Sequence, residues 1–542
     1  MPKPAAAPRL PASRSISPAP AGEHWRLSPA PDANALRLRL DRLDVRLLHE
    51  EHHRLAFYDD HDRHLWLSGW ALSDNRRRWR LLDATGELAA CPVRRGKPVR
   101  FWQDFPPGPL QDLLRPRLGV RALLPLGAMT FHTARLELRD DDDKLVLRLT
   151  LARLEPEEGL PVAVVGLHPL RGYEEEADSV RLALGNWLAQ PVDDCGLMTL
   201  LRLDGRLAPP SAPGFRLDPA MPVETALRGR CELLLREARR LESHLIADTD
   251  TEFLHQYRVL LRKARSQLRL LRDALPADLL APALTALGEA ATQTNVLRDL
   301  DVFLLDSDDW RRRLPPEHAS GFQKLHALIQ RDRRQALRTV ARSLESVRYR
   351  EAMDDVLARL RETPRAGTAI AETPVLDAAR ERLGRHARKL ARMAAALGPQ
   401  SPDEDIHALR IEFKKLRYLL EFFGDLAPPR KLSALVKELK ELQGILGDFN
   451  DASVQRAFLL ACLRTRPLDV EATAAIHGLI AVLHQQQLAL RPQAIEAVGR
   501  FHGDAAEKRL RRLFPRPARK PATTPADTQT KTASRKTTTE GS

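Results

Sequence analysis

The segments HQYRVLLRKAR, from His255, and HALRIEFKKLR, from His407, are two copies of one pattern set 152 positions apart. Each carries a histidine, an arginine three residues on (Arg258, Arg410), two adjacent cations seven and eight on (Arg262-Lys263, Lys414-Lys415), and an arginine ten on (Arg265, Arg417). The offset recurs downstream, where RDLDV holds Asp299 and Val302 and NDASV holds Asp451 and Val454. Two separated segments in one register mark an internal duplication, so this half of the chain is constrained to fold as two similar units. What is duplicated is a row of positive charge, which points to an anionic ligand.

At about 100° per residue, His255, Arg258, Arg262, Arg265 and Arg269 share one stripe of a helical wheel, with Lys263 about 80° to the other side. Leu260, Leu261, Ala264, Leu268 and Leu271 oppose them. The second copy repeats this with His407, Arg410, Lys414 and Arg417 against Leu409, Phe413, Leu416, Leu419 and Leu420. Each helix thus has a core face and a cationic ridge. Like charges on one helical face repel by a few tenths of a kcal/mol per close pair, roughly the size of a favourable i,i+4 pair. A multivalent anion offsets that repulsion, since arginine forks match phosphate oxygens and lysine adds a mobile charge. A histidine titrating near neutral pH can donate a hydrogen bond or gain charge beside an anion. Asp299 and Asp451 are expected to pin a ridge cation by an ion pair or to cap a helix.

The 542 residues allow two to four domains. A net charge of +14 favours a polyanionic partner, whether nucleic acid, polyphosphate or an anionic membrane surface. Aromatic residues are only 5% of the chain, which weighs against single-strand binding by base stacking. The four cysteines, Cys91, Cys195, Cys231 and Cys462, form no CxxC pair and fit a reducing compartment. With no signal-type apolar core and no run of eighteen apolar residues, a soluble, cytoplasmic protein without a membrane span is expected.

Residues 1–33, rich in Pro and Ala, and the basic stretch 515–542 read as disordered tails. Residues 34–185 read as a β domain, of which 34–160 are mostly strands of a half-buried antiparallel sheet. Leu36, Leu38 and Leu40 alternate with arginines, Leu43, Val45 and Leu47 resume the alternation, and TARLELR and KLVLRLTLARL form a hairpin around Asp140–Asp143. From Arg171 the pattern turns helical through GYEEEADSVRLALGNWLAQ, and a linker follows over 186–218, punctuated by Pro209, Pro210 and Pro213. Residues 219–514 are amphipathic helices broken near Pro276, Pro315, Pro364, Pro402, Pro428 and Pro467, about four per repeat. The fold class is therefore multidomain α+β.

The paired runs HQYRVLLRKARSQLRLL and HALRIEFKKLRYLLEFF, with NVLRDLDV and GDFNDASV, resemble the conserved-histidine α-helical domain (CHAD) family over 219–514. The resemblance implies two pseudo-symmetric four-helix bundles with a basic central surface that binds inorganic polyphosphate, and association with polyphosphate granules. It makes His255, Arg258, Arg262, Lys263, Arg265, Arg269, His407, Arg410, Lys414, Lys415 and Arg417 ligand-binding candidates. Arg334, from the run Arg331, Arg333, Arg334 and Arg338, is counted with them. The halves differ: Glu421 stands opposite Arg269, and Leu483, Gln485, Gln486 and Leu490 stand opposite that arginine run, which implies a lopsided charged surface.

Upstream, LAFYDDHDRHLWLSGWALSDNRRRWRL and LHPLRGYEEEA resemble segments of the CYTH domain, a β-tunnel that binds or hydrolyses triphosphates with metal help. The tunnel's acidic E-x-E-x-K opening is replaced by LRLRLDRLDVRL, so the carboxylates that would hold metal are missing. His49, His52 and His53 cluster with Glu50 and Glu51, and His61 and His64 lie among Asp59, Asp60 and Asp62, but neither spacing matches a standard metal site. The expectation is a polyphosphate-binding protein with no catalytic residue, metal or cofactor. A CYTH-type metal-dependent triphosphatase or polyphosphatase fed by the helical module is the alternative. Nucleic-acid binding ranks last.

Overall fold

A computed structural model describes residues 23–93, 98–210, 214–363, 370–500, 508–510 and 512–515. The expected tails over 1–22 and 516–542 lie outside the described residues. The chain divides into two compact units. The first takes Met1–Gly214, Ala238–Val259 and Thr339–Leu344, and the second takes Phe215–Glu237, Leu260–Arg338 and Glu345–Ser542.

The first unit is built on nine strands: β1 (Glu23–Leu27), β2 (Val45–Asp59), β3 (Ala71–Asp74), β4 (Arg78–Asp83), β5 (Gly86–Pro92), β6 (Leu124–Arg139), β7 (Leu145–Pro156), β8 (Val162–Pro169) and β9 (Leu188–Val192). All pairings are antiparallel, in the order β5-β4-β3-β2-β6-β7-β8-β1-β9. Its helices are α1 (Ala33–Arg39), α2 (His64–Leu67), α3 (Pro109–Leu118), α4 (Glu174–Leu184) and α5 (Leu197–Asp204). On one face Leu136, Leu149 and Leu167 pack with Leu36 and Leu40, and with Val180 and Leu184 of α4. On the other, Leu55, Phe57 and Leu154 meet Leu200 and Leu201 of α5. The β6–β7 hairpin turns where expected: the Asp140 carboxylate accepts the backbone N–H groups of Asp142 and Lys144.

Three expectations change. Ala33–Arg39 is a helix, not a strand, because the Asp32 carboxylate accepts the Ala35 N–H as an N-cap. The residues that bury are Leu36 and Leu40, four apart, while Leu38 is 69% exposed. Residues 188–192 and 197–204, expected in a linker, form β9 and α5, since Gly185 ends α4 at positive φ and frees the chain to pair with β1. Glu23–Leu27, placed in the N-terminal tail, is β1, paired with β8 and β9.

The helices that follow are α6 (Val223–Ile246), α7 (Thr251–Leu270), α8 (Ala277–Gln293), α9 (Asn295–Leu305), α10 (Ser307–Arg313), α11 (Ala319–Leu344) and α12 (Val347–Arg361), then α13 (Val375–Ala396), α14 (Asp403–Phe422), α15 (Pro429–Thr465) and α16 (Val470–Gly499). The duplication is visible in the boundaries. Val223 and Val375, Thr251 and Asp403, and Ala277 and Pro429 each open a helix one repeat length apart. The short turns Arg272–Ala274 and Gly424–Leu426 keep the same offset. In the second repeat α13 touches α14, α14 touches α15, α15 touches α16 and α16 touches α13, which closes a four-helix bundle. The first repeat breaks the equivalent of α15 at Thr294 and again at Asp306, giving α8, α9 and α10.

Inside the second unit the two repeats share a core. Phe303, Trp310, Phe322 and Leu325 pack with Leu459, Ala475, Ile476 and Leu479. At this seam a Cβ on Gly321 would overlap the Glu471 carbonyl, so only glycine admits the approach of α11 to α16. No helix among the described residues is long and apolar enough to cross a membrane.

Candidate functional site: a basic cluster from both repeats

Each ridge rides on a helix whose other face is anchored. Asp250 begins α7 by accepting the N–H groups of Glu252 at 2.8 Å and Phe253 at 3.2 Å, and it also takes the Ala122 N–H at 2.8 Å. Farther along α7, Leu261, Ala264 and Leu268 are buried. On α14 the buried set is Leu409, Phe413, Leu416, Leu419 and Leu420, which fixes the cationic face on the opposite side, as the wheel requires.

Within the second unit, part of the α7 ridge meets the α14 ridge. Arg262 donates from Nε to the Tyr418 hydroxyl at 3.0 Å, and Tyr418 itself is buried. Lys414 has its amine pushed down to about 8, first by burial and then by the charges of Arg410 and Arg262, with Arg417 adding to the effect and Asp451 opposing it. Burial also lowers Arg410, Asp451 raises it, and Arg262 lowers it further. Arg262, Arg410, Lys414 and Arg417 therefore form one cluster of positive potential drawn from both repeats. Asp451 pairs with Arg410 at 3.4 Å, the orienting part expected of it. His407 is exposed, and its Nδ1 donates to Asn450 Oδ1, which fixes the ring one residue before that aspartate.

The other ridge cations have contacts of their own. Lys263 pairs with Glu421 at 3.0 Å, and Arg417 stands 3.7 Å from the same carboxylate. Lys415 lies 2.6 Å from Glu412, a carboxylate also met by Lys389 at 3.0 Å and His386 at 3.1 Å. Burial raises Glu412, yet hydrogen bonds from His386, Lys415 and Lys389 hold it well below the usual carboxylate range. Arg265 and Arg269 line a separate cavity of about 630 Å³. Arg334 is exposed on α11, while its neighbour Arg333 is held by the buried Asp301 at 2.6 Å. His255 and Arg258 are half-buried, one turn apart on α7.

Tyr418 and Asn450 escaped the sequence reading. Tyr418 gives no signal in a pattern of charges, whereas Asn450 stands inside the quoted NDASV motif, directly before Asp451.

In the sheet unit, Asp32, Glu50, His132 and Arg153 line a cavity of about 220 Å³. Nearby acids are already engaged: Glu155 with Arg153 at 2.7 Å and His132 at 3.4 Å, and Glu157 with Arg54. His49 and His53 flank Glu51 at 2.7 and 3.4 Å on an exposed stretch of β2. Among the described residues no group of three or more His, Cys, Asp or Glu side chains is placed to hold a metal ion, so these residues do not fit the metal that the CYTH resemblance implies.

Two uncharacterized proteins of Mycobacterium tuberculosis, from strains CDC 1551 and H37Rv, are each 30% identical over 230 residues, which is 40% of this chain. The chain spans 42% of the length of these curated relatives. Among solved structures, the CHAD domain from the plant Ricinus communis is similar at 27% identity, covering 55% of this chain and 95% of that one, with a TM-score of 0.46. PptA from Streptomyces chartreusis is similar at 18% identity, covering 51% and 99%, with a TM-score of 0.41. The family model of the CHAD domain matches residues 229–460, which include both basic helices and Asp451. That stretch, which follows the antiparallel sheet unit along the chain, is similar to the CHAD family.

Proposed function

We propose that this protein binds inorganic polyphosphate through the cluster of Arg262, Arg410, Lys414 and Arg417, and that binding directs it to polyphosphate granules. The observation that carries the reading is the convergence of cations from two copies of one motif: Arg410 and Arg262 add to burial in pushing the Lys414 amine down to about 8. Holding like charges together costs free energy in the unliganded protein, and a chain of phosphates removes that cost by supplying negative charge along the row. Binding releases counterions, so affinity falls steeply with salt. Nucleic acid is the weaker candidate, because Tyr418, the aromatic residue at the cluster, is 3% exposed and cannot stack on a base.

The test is competition. Labelled long-chain polyphosphate bound to the full chain is challenged with duplex DNA, single-stranded DNA and unlabelled polyphosphate at matched phosphate concentration. Only polyphosphate is expected to displace the label efficiently; equal displacement by DNA contradicts the proposal. The reading as a triphosphatase is tested by phosphate release from tripolyphosphate with Mg²⁺ or Mn²⁺, and no release above background is expected.

A further inference from the structure

Arg265 and Arg269 belong to the repeated ridge yet do not join the cluster. They line the cavity of about 630 Å³, whose other cation, Arg348, pairs with Glu289 at 2.9 Å. Part of the wall is apolar, with Leu284, Ala352, Met353 and the buried ring of Tyr349, and part is polar, with Thr285, Thr292, Gln293 and Ser346. Arg265 Nε is buried without a hydrogen-bond partner, and burial beside Arg269 lowers this guanidinium from its ordinary value. Gly288 lies on the floor, where a Cβ would make only ordinary van der Waals contact with Arg265 Nη2 at 3.8 Å.

The duplication provides an internal control. One repeat length on, Arg269 becomes Glu421 and Gly288 becomes Lys440. Glu421 is taken up by Lys263 and Arg417, so the second copy places an acid where the first has a cation. A bare phosphate chain has no use for an apolar wall. A cavity of this size, half apolar and rimmed by arginines, suits a small organic phosphate.

We propose that the cavity between α7, α8 and α12 binds a nucleotide-sized organic phosphate, its phosphates on Arg265, Arg269 and Arg348 and its apolar body on Leu284, Tyr349, Ala352 and Met353. The site is separate from the polyphosphate cluster and stands whether or not that cluster binds polyphosphate. ATP and inorganic tripolyphosphate are the probes, titrated by calorimetry into the full chain without divalent metal. Arg269→Glu, which installs the residue of the second repeat at an exposed position, should weaken ATP binding at least tenfold. Ala352→Trp, which fills the wall and keeps every charge, should do the same, while Lys414→Ala should leave ATP binding unchanged. In the Lys414→Ala background tripolyphosphate should bind at least tenfold more weakly than ATP. The proposal is overturned if wild type does not bind ATP at millimolar concentration, or if Arg269→Glu or Ala352→Trp binds it like wild type. It is equally overturned if Lys414→Ala abolishes ATP binding, or if tripolyphosphate matches ATP in that background.

Discussion

Replacing Lys414 with arginine should remove most of the pH dependence of polyphosphate binding while leaving affinity at pH 7 nearly intact. In the free protein the Lys414 amine sits at about 8, held down by burial and by Arg410 and Arg262. A bound polyanion places negative charge beside the buried amine and raises it toward the ordinary lysine value of about 10.4. Because the value rises on binding, the complex takes up a proton, and affinity falls as pH rises through 8. Between pH 7 and pH 9 the free amine goes from about nine-tenths to about one-tenth charged, so affinity should drop about tenfold, or about 1.4 kcal/mol. At pH 8 binding should take up about half a proton. Arginine stays charged throughout this range, so the variant's profile should be nearly flat. Calorimetry at fixed ionic strength, in two buffers of different ionisation enthalpy, reads both quantities. Long-chain polyphosphate is the ligand of choice, because its internal phosphates do not titrate in this window. Affinity that stays constant from pH 7 to 9 in wild type, or falls equally in the arginine variant, refutes the reasoning.

Other consequences follow from single contacts. Glu421→Gln removes the carboxylate that engages Lys263 and Arg417, and polyphosphate affinity should rise about threefold, the effect of a partly exposed ion pair; no gain in a binding titration would mean these cations do not face the ligand. Tyr418→Phe keeps the buried ring but removes the hydroxyl that seats Arg262, so affinity should fall about fivefold, in line with one hydrogen bond of about 1 kcal/mol. Gly321→Ala forces α11 away from α16 and should cost about 1–3 kcal/mol of stability, read as a lower urea midpoint. An unchanged midpoint would contradict the close approach described for this seam.

The duplication was legible because it rests on covalent order: the positions that open α6, α7 and α8 recur one repeat length later in α13, α14 and α15. The cationic face was legible too, since a helix of fixed pitch determines which residues share a side. α1 was not. Leu36, Leu38 and Leu40 satisfy a period of two, and only the Asp32 cap with the four-residue spacing of the buried pair decides for helix. Nor does a wheel show what faces a ridge across an interhelical gap. Lys263 and Lys415 carry the same pattern as Arg262 and Lys414, yet each lies against a carboxylate, Glu421 or Glu412, brought there by tertiary packing. Glu421 was visible as a departure between the copies, but its partners were not. The wheel likewise does not show that Arg265 and Arg269 line a cavity with α8 and α12.

The central claim is that the cluster built from both repeats is where polyphosphate binds. Its most direct test is the salt dependence of binding by wild type and by the Arg262→Ala/Lys414→Ala double variant. Removing two phosphate contacts should lower affinity at least thirtyfold at physiological salt and reduce the slope of log K against log salt by about 1.4, as for a single-stranded polyanion. An unchanged affinity and slope in a folded double variant would place the polyphosphate site elsewhere and contradict the account.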